Sequence, residues 1–107
     1  MYEIGFITAS SETEAEKIAE ELVNSHLVAC ANIFPKIKSI YFWNGKLEKD
    51  EESFIIIKTH KDLKDKIIQK IKEIHSYDVP ECIFFSISSG LKEYLKWIDN
   101  NTKDFEK

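Results

Sequence analysis

The stretch VACANIFPKIKSIYFWNGKLEKDEESFIIIKT, residues 28–59, decides how this chain folds. At its centre Asn44-Gly45 separates two strand-like runs, Val28–Trp43 and Lys46–Thr59. Asn-Gly is the strongest short signal for a β-hairpin, because both residues tolerate the positive φ that a type I′ turn demands. Each arm is far longer than the usual strand of about 5–6 residues. Pro35 has no N–H to give to a ladder, so a bulge or bend is expected in the first arm.

Outward from the hairpin, both flanks follow one plan. Tyr2–Thr8 alternates weakly and reads as a strand. Ser11 followed by Glu14 has the form of a capping box, in which each side chain satisfies an orphan backbone N–H. Ala15, Ile18, Ala19, Leu22 and Val23 then lay one apolar stripe along a helix running to about His26. Beyond the hairpin, Leu63, Ile67, Ile71 and Ile74 mark the inner face of a second helix, with Lys64, Lys66, Lys70 and Lys72 mostly outward. The segment from His75 to Pro80 breaks it, Cys82–Ser88 is a last strand, and Leu91, Tyr94, Leu95 and Ile98 mark a final helix. The order βαββαβ plus one extra helix is that of an α+β, ferredoxin-like domain, a single unit over residues 1–107 with helices on one face of an antiparallel sheet.

Such a sheet should alternate apolar and polar residues. Yet Ile40-Tyr41-Phe42-Trp43, Phe54-Ile55-Ile56-Ile57 and Ile83-Phe84-Phe85 are apolar on both faces. Other copies of the chain are the expected cover for the second face, which makes a homo-oligomer the expected state.

Composition excludes several classes. The 107 residues are 43% apolar and 32% charged, which fits a soluble globular domain. Nineteen acidic residues against fifteen basic ones give a net charge of −4, and all fifteen cations are lysine. Mild acidity without arginine counts against nucleic-acid binding. No apolar run of about 18 residues offers a membrane span, and Met1–Phe6 lacks the basic and apolar regions of a secretory leader. Cys30 and Cys82 are too few for a disulfide scaffold, so a reducing, cytoplasmic location is expected.

No Gly-rich phosphate loop or nucleophile elbow exists, which points to a binding protein and not an enzyme, with no cofactor required. Ser88-Ser89-Gly90 reads as a turn and helix cap. Cys30, between Ala29 and Ala31, reads as a small buried hydrophobe, as does Cys82. His75, beside Tyr77 and Asp78, reads as a helix C-cap or as a ligand-binding residue. The acidic run from Glu48 to Glu52 reads as a solvated edge, or as a weak attractor of hard cations at a subunit junction. Trp43, next to the polar turn, can line a pocket.

Five blocks together form a signature: Leu27-Val28-Ala29-Cys30-Ala31-Asn32, Ser39-Ile40-Tyr41-Phe42-Trp43-Asn44-Gly45-Lys46, Lys58-Thr59, His75-Ser76-Tyr77-Asp78-Val79-Pro80-Glu81 and Tyr94-Leu95-Lys96-Trp97. In order and spacing they resemble the CutA family, the divalent-cation-tolerance proteins. The resemblance implies a tight homotrimer, a kinship of architecture with the PII signalling proteins, and a role in tolerance to copper and other divalent metals. The copper site described for bacterial members maps onto Ile7, Ile74 and His75, of which only His75 can ligate a metal. Cys30 matches the family's common cysteine and suits soft copper(I).

Cys30 and His75 are therefore the expected metal contacts. Trp43, Lys58, His75 and Tyr77 are the expected lining of a ligand cleft, with Lys58 offsetting an anionic ligand. Two other readings compete with metal handling. One is a PII-like module that signals a small ligand to an unidentified protein partner through the hairpin tip. The other is a purely structural, stable trimer.

Overall fold

The computed structural model describes residues 1–102, so the last five residues of the expected domain lie outside the described ones. The hairpin arms become β2 (Cys30–Trp43) and β3 (Lys46–His60), joined through Asn44 at φ 53° and Gly45 at φ 77°. Positive φ at both positions is the expected turn. Phe34 faces Phe54 and Ile37 faces Glu52, so Pro35 and Lys36 bulge opposite Ser53. Ser53 Oγ donates to the Pro35 carbonyl at 2.6 Å, which ties the bulge to the neighbouring strand.

β1 (Tyr2–Ala9) pairs with the inner half of β3 on one side and with β4 (Cys82–Ser86) on the other. All pairs are antiparallel, in the order β2-β3-β1-β4. The helices are α1 (Glu12–Asn24), α2 (Lys64–Ile74) after a short 3₁₀ turn at Lys61–Leu63, and α3 (Lys92–Asn100). The expected βαββαβ order with an added helix is the observed one.

The core lies between one sheet face and two helices. Ile7, Ile55 and Ile57 are wholly buried against Ile18 and Leu22 of α1 and Ile67 and Ile71 of α2. Each such isoleucine contributes about 1.5–3 kcal/mol relative to an exposed one. Gly5 belongs to this face, and a Cβ there would lie 2.7 Å from Ile57 Cγ1 and 3.0 Å from Phe84 Cε1. Two large side chains close over that one glycine, so nothing larger fits without displacement.

The other face is built differently. Phe85, Phe6, Phe54 and Phe34 cross all four strands in a row, with ring centroids 4.7, 4.9 and 6.1 Å apart in that order. Among the described residues no long helix covers this row, and Phe34 and Phe85 remain about half exposed. Beyond the bulge, β2 and β3 continue without β1 as a two-stranded ribbon. Its tip exposes Ile40, Phe42 and Leu47.

Several boundaries differ from expectation, each for a local reason. α1 stops at Asn24 and not near His26, because Ser25 closes it by donating to the Glu21 carbonyl and His26 takes the left-handed φ of 61°. β2 starts at Cys30 because the Val28 N–H turns back to the Leu22 carbonyl at 3.3 Å. β4 ends at Ser86, although the Ile87 N–H still reaches the Tyr2 carbonyl at 2.9 Å. α3 begins after Leu91 with no side-chain cap, so Ser88 and Ser89 do not cap it. Of its expected stripe Ile98 is buried, whereas Leu91 is exposed.

Gly5→Ala is expected to lower stability by about 1–3 kcal/mol, the usual cost of overpacking a closed core. Urea melts should show a lower midpoint with an unchanged m-value. An unchanged midpoint would mean that Ile57 and Phe84 move aside freely.

Candidate functional site

The candidate site stands where the ribbon leaves the sheet, and one carboxylate organises its border. Ser11 caps α1 by accepting the Glu14 N–H at 3.1 Å, as the capping box requires. The reciprocal arm is different: Glu14 Oε1 accepts from the Ser10 N–H at 2.9 Å and from Ser10 Oγ at 2.6 Å, one residue earlier than expected. The same carboxylate takes the Ser76 N–H at 2.9 Å and Ser76 Oγ at 3.0 Å. It thus ties the start of α1 to the segment after α2. Burial pushes Glu14 upward, but the hydrogen bonds from Ser10 and Ser76 outweigh it and hold the carboxyl at about 2.

His75 continues this knot. Its side chain is sealed from solvent. Nδ1 accepts the Tyr77 N–H at 3.1 Å, so Nε2 carries the proton and donates to the Thr8 carbonyl at 2.7 Å. With both nitrogens engaged, the imidazole has no free lone pair for a metal. His75 ties the loop after α2 to the end of β1.

The loop then places Tyr77 so that its hydroxyl donates to Glu52 Oε2 at 2.6 Å. Between the ribbon and this loop opens a cleft of about 630 Å³. Tyr41, Trp43, Asp50 and Glu52 enter from the ribbon, and Tyr77, Asp78 and Glu81 from the loop. Tyr41 donates its hydroxyl to Asp50, which together with the surrounding acids pushes its phenol up to about 12. Burial and the acceptor Glu52 raise Tyr77 as well. Glu81 is raised by burial and then by the nearby negative charge of Glu52.

The expected site residues therefore separate. Trp43 and Tyr77 share the cleft, and His75 supports it from behind. Lys58 lies elsewhere: it pairs with Ile4 of β1, whereas the cleft residue Thr8 pairs with Phe54. Four residues of strand put these positions about 13 Å apart. Lys58 Nζ donates to Asn32 Oδ1, and Cys30 Sγ points at the same oxygen at 3.7 Å. Cys30 sits directly across from Lys58 and beside Tyr94 of α3.

Within one chain Cys30 and His75 thus occupy opposite ends of the sheet and share no site. Neither Cys30 nor Cys82 is the fully buried thiol expected, both being partly exposed, and burial holds Cys82 up at about 11. Neither is disulfide-bonded. Among the described residues no group of three or more His, Cys, Asp or Glu side chains is arranged to hold a metal ion.

The residues that sequence reasoning missed are acidic. Glu52 was expected at a solvated edge but is 8% exposed, drawn inward by Tyr77. Its one sequence signal is its place beside the core run Ser53–Ile57. Glu14 was read only as a cap, and nothing local announces its bonds to a serine 62 positions away.

Residues 4–101 match the family described as CutA1 divalent ion tolerance protein. The chain belongs to this family. It is 40% identical to the divalent-cation tolerance protein CutA of Thermus thermophilus over 102 residues, 95% of this chain and 99% of that one. The solved structure of an Archaeoglobus fulgidus protein, described as a periplasmic divalent cation tolerance protein CutA, superposes with a TM-score of 0.94. Its identity is 41%, and 96% of this chain and 100% of that one are covered. The chloroplastic CutA proteins of Oryza sativa and Arabidopsis thaliana are each 37% identical. The chain spans just over half of their length, 56% and 54%. No helix among the described residues is long and apolar enough to cross a membrane.

The Glu14 knot makes a pH-dependent contribution with a definite sign. Its carboxyl lies near 2 in the folded chain against 4.5 ordinarily, so its stabilisation is full above 4.5 and lost as pH falls toward 2. Thermal melts over that window should show a smaller drop for Glu14→Gln than for wild type, from a lower starting value at pH 7. Parallel curves for the two proteins would remove Glu14 from this role.

Proposed function

We propose that the chain acts, as a CutA-type homotrimer, in tolerance to divalent metal ions, binding and buffering them without catalysis. The family match over residues 4–101 carries this reading. The assembly is supported by the phenylalanine row and by the apolar ribbon tip, since a contiguous exposed apolar face marks an interaction surface. A two-stranded ribbon is also marginal alone in water and gains from a neighbour to lie against. The metal is cargo in this reading, with copper as the first choice. Cys30 is its contact, because a partly exposed thiol is a soft ligand and the His75 nitrogens are already engaged.

A second reading, a PII-like small-ligand module acting through a protein partner, is favoured by the cleft. Its volume falls within the range of small-ligand sites, about 300–1,000 Å³.

Light scattering should return three times the chain mass for wild type and a smaller mass for the double variant Phe34→Asp, Phe85→Asp. A monomeric wild type at micromolar concentration would end the trimer reading. Copper(I) titrations should show binding weakened at least tenfold in Cys30→Ser and unchanged in His75→Ala. Equal binding by wild type and Cys30→Ser would remove the thiol as the contact.

A further inference from the structure

The cleft combines features that select one class of ligand. Three aromatic rings border it, and two of them, Tyr41 and Trp43, keep 39% and 48% of their surface exposed. An aromatic face attracts a cation through its quadrupole. Four carboxylates, Asp50, Glu52, Asp78 and Glu81, border the same space, and its lining among the described residues includes no lysine or histidine. Two of these acids are held in place by phenols, Asp50 by Tyr41 and Glu52 by Tyr77. Burial, and then the charge of Glu52, keep Glu81 above its ordinary value.

We propose that this cleft binds an organic ammonium ion, its charge among Asp50, Glu52 and Glu81 and its carbon frame against Tyr41, Trp43 and Tyr77. Within one chain an anion is disfavoured because Lys58, the cation expected to offset one, is engaged with Asn32 at the far end of the sheet. A bare metal ion is disfavoured because these acids do not converge on one point among the described residues. The space is also many times larger than an ion requires. Aromatic walls contribute little to a hydrated metal ion but cover alkyl carbon well. The inference rests on the small-ligand reading above and adds the charge class of the ligand.

The test is calorimetric titration of the full chain with 1,5-diaminopentane and with its neutral counterpart 1,5-pentanediol. Trp43 emission is followed in parallel in a Trp97→Phe background. The diamine should bind saturably, one per chain, with a shift in Trp43 emission and at least tenfold more tightly than the diol. Glu52→Gln and Asp50→Asn should each weaken it several-fold. Asp50 is exposed, so its replacement leaves folding intact even if Glu52→Gln disturbs it. Equal binding of diamine and diol would overturn the charge assignment while leaving a small-ligand cleft. Binding of neither would overturn both, as when a neighbouring copy fills the space. Displacement of the diamine by magnesium chloride beyond that by sodium chloride of equal ionic strength would show a metal site instead.

Discussion

Strands turn successive side chains to opposite faces, and this chain has apolar residues for both faces but two long helices for one. That imbalance governs the whole molecule. On the helix side, Ile7, Ile55 and Ile57 lie under α1 and α2, packed so closely that Gly5 has no room for a Cβ. On the other side the phenylalanine row stays half open, and α3 meets that face at the Tyr2 and Cys30 end of the strands. There Tyr2 donates to Asp99 at 2.6 Å and Cys30 lies beside Tyr94. The remaining apolar surface runs from Phe34 out to the ribbon tip, where β2 and β3 have left β1 behind.

The departure of the ribbon is also what creates the cleft. Within the sheet, β3 is flanked by β1 and β2, and its side chains meet packed neighbours. Past the bulge at Pro35 the pair continues alone, so one ribbon face looks across open space at the loop after α2. That loop would wander without anchors. Glu14 holds Ser76, His75 holds both Thr8 and Tyr77, and Tyr77 reaches Glu52. The chain of bonds runs from the first helix to the hairpin root, so the cleft geometry is fixed by a polar network on one side and a β-ladder on the other. Networks of this kind are rigid when every member is satisfied.

Much of this was legible in particular residues. Asn44-Gly45 set the turn, Pro35 set the bulge, and the apolar spacing of both long helices set their buried sides. The apolar runs filling both strand faces marked the second face, which stays half exposed. These signals are local because turn geometry, capping and periodicity depend on neighbours within a few positions. The site was read less well. Lys58, Cys30, Trp43 and His75 look alike as polar or aromatic marks near strand ends. Which of them meet depends on the register of β1 against β3, and a strand end four residues away is a different place. Glu52 looked solvated within a charged run, because its phenolic partner comes from a loop 25 positions later.

The sequence by itself determined the element order, the hairpin, the family and the supply of apolar residues to both sheet faces. These follow from backbone preferences and from the count of apolar side chains. Only the tertiary structure decided that His75 is a satisfied support and no free ligand, that Cys30 and Lys58 stand apart from the cleft, and that acids and aromatic rings line it. Those outcomes rest on hydrogen bonds and pairings between residues distant along the chain. A linear pattern cannot specify them until the strands have fixed their register.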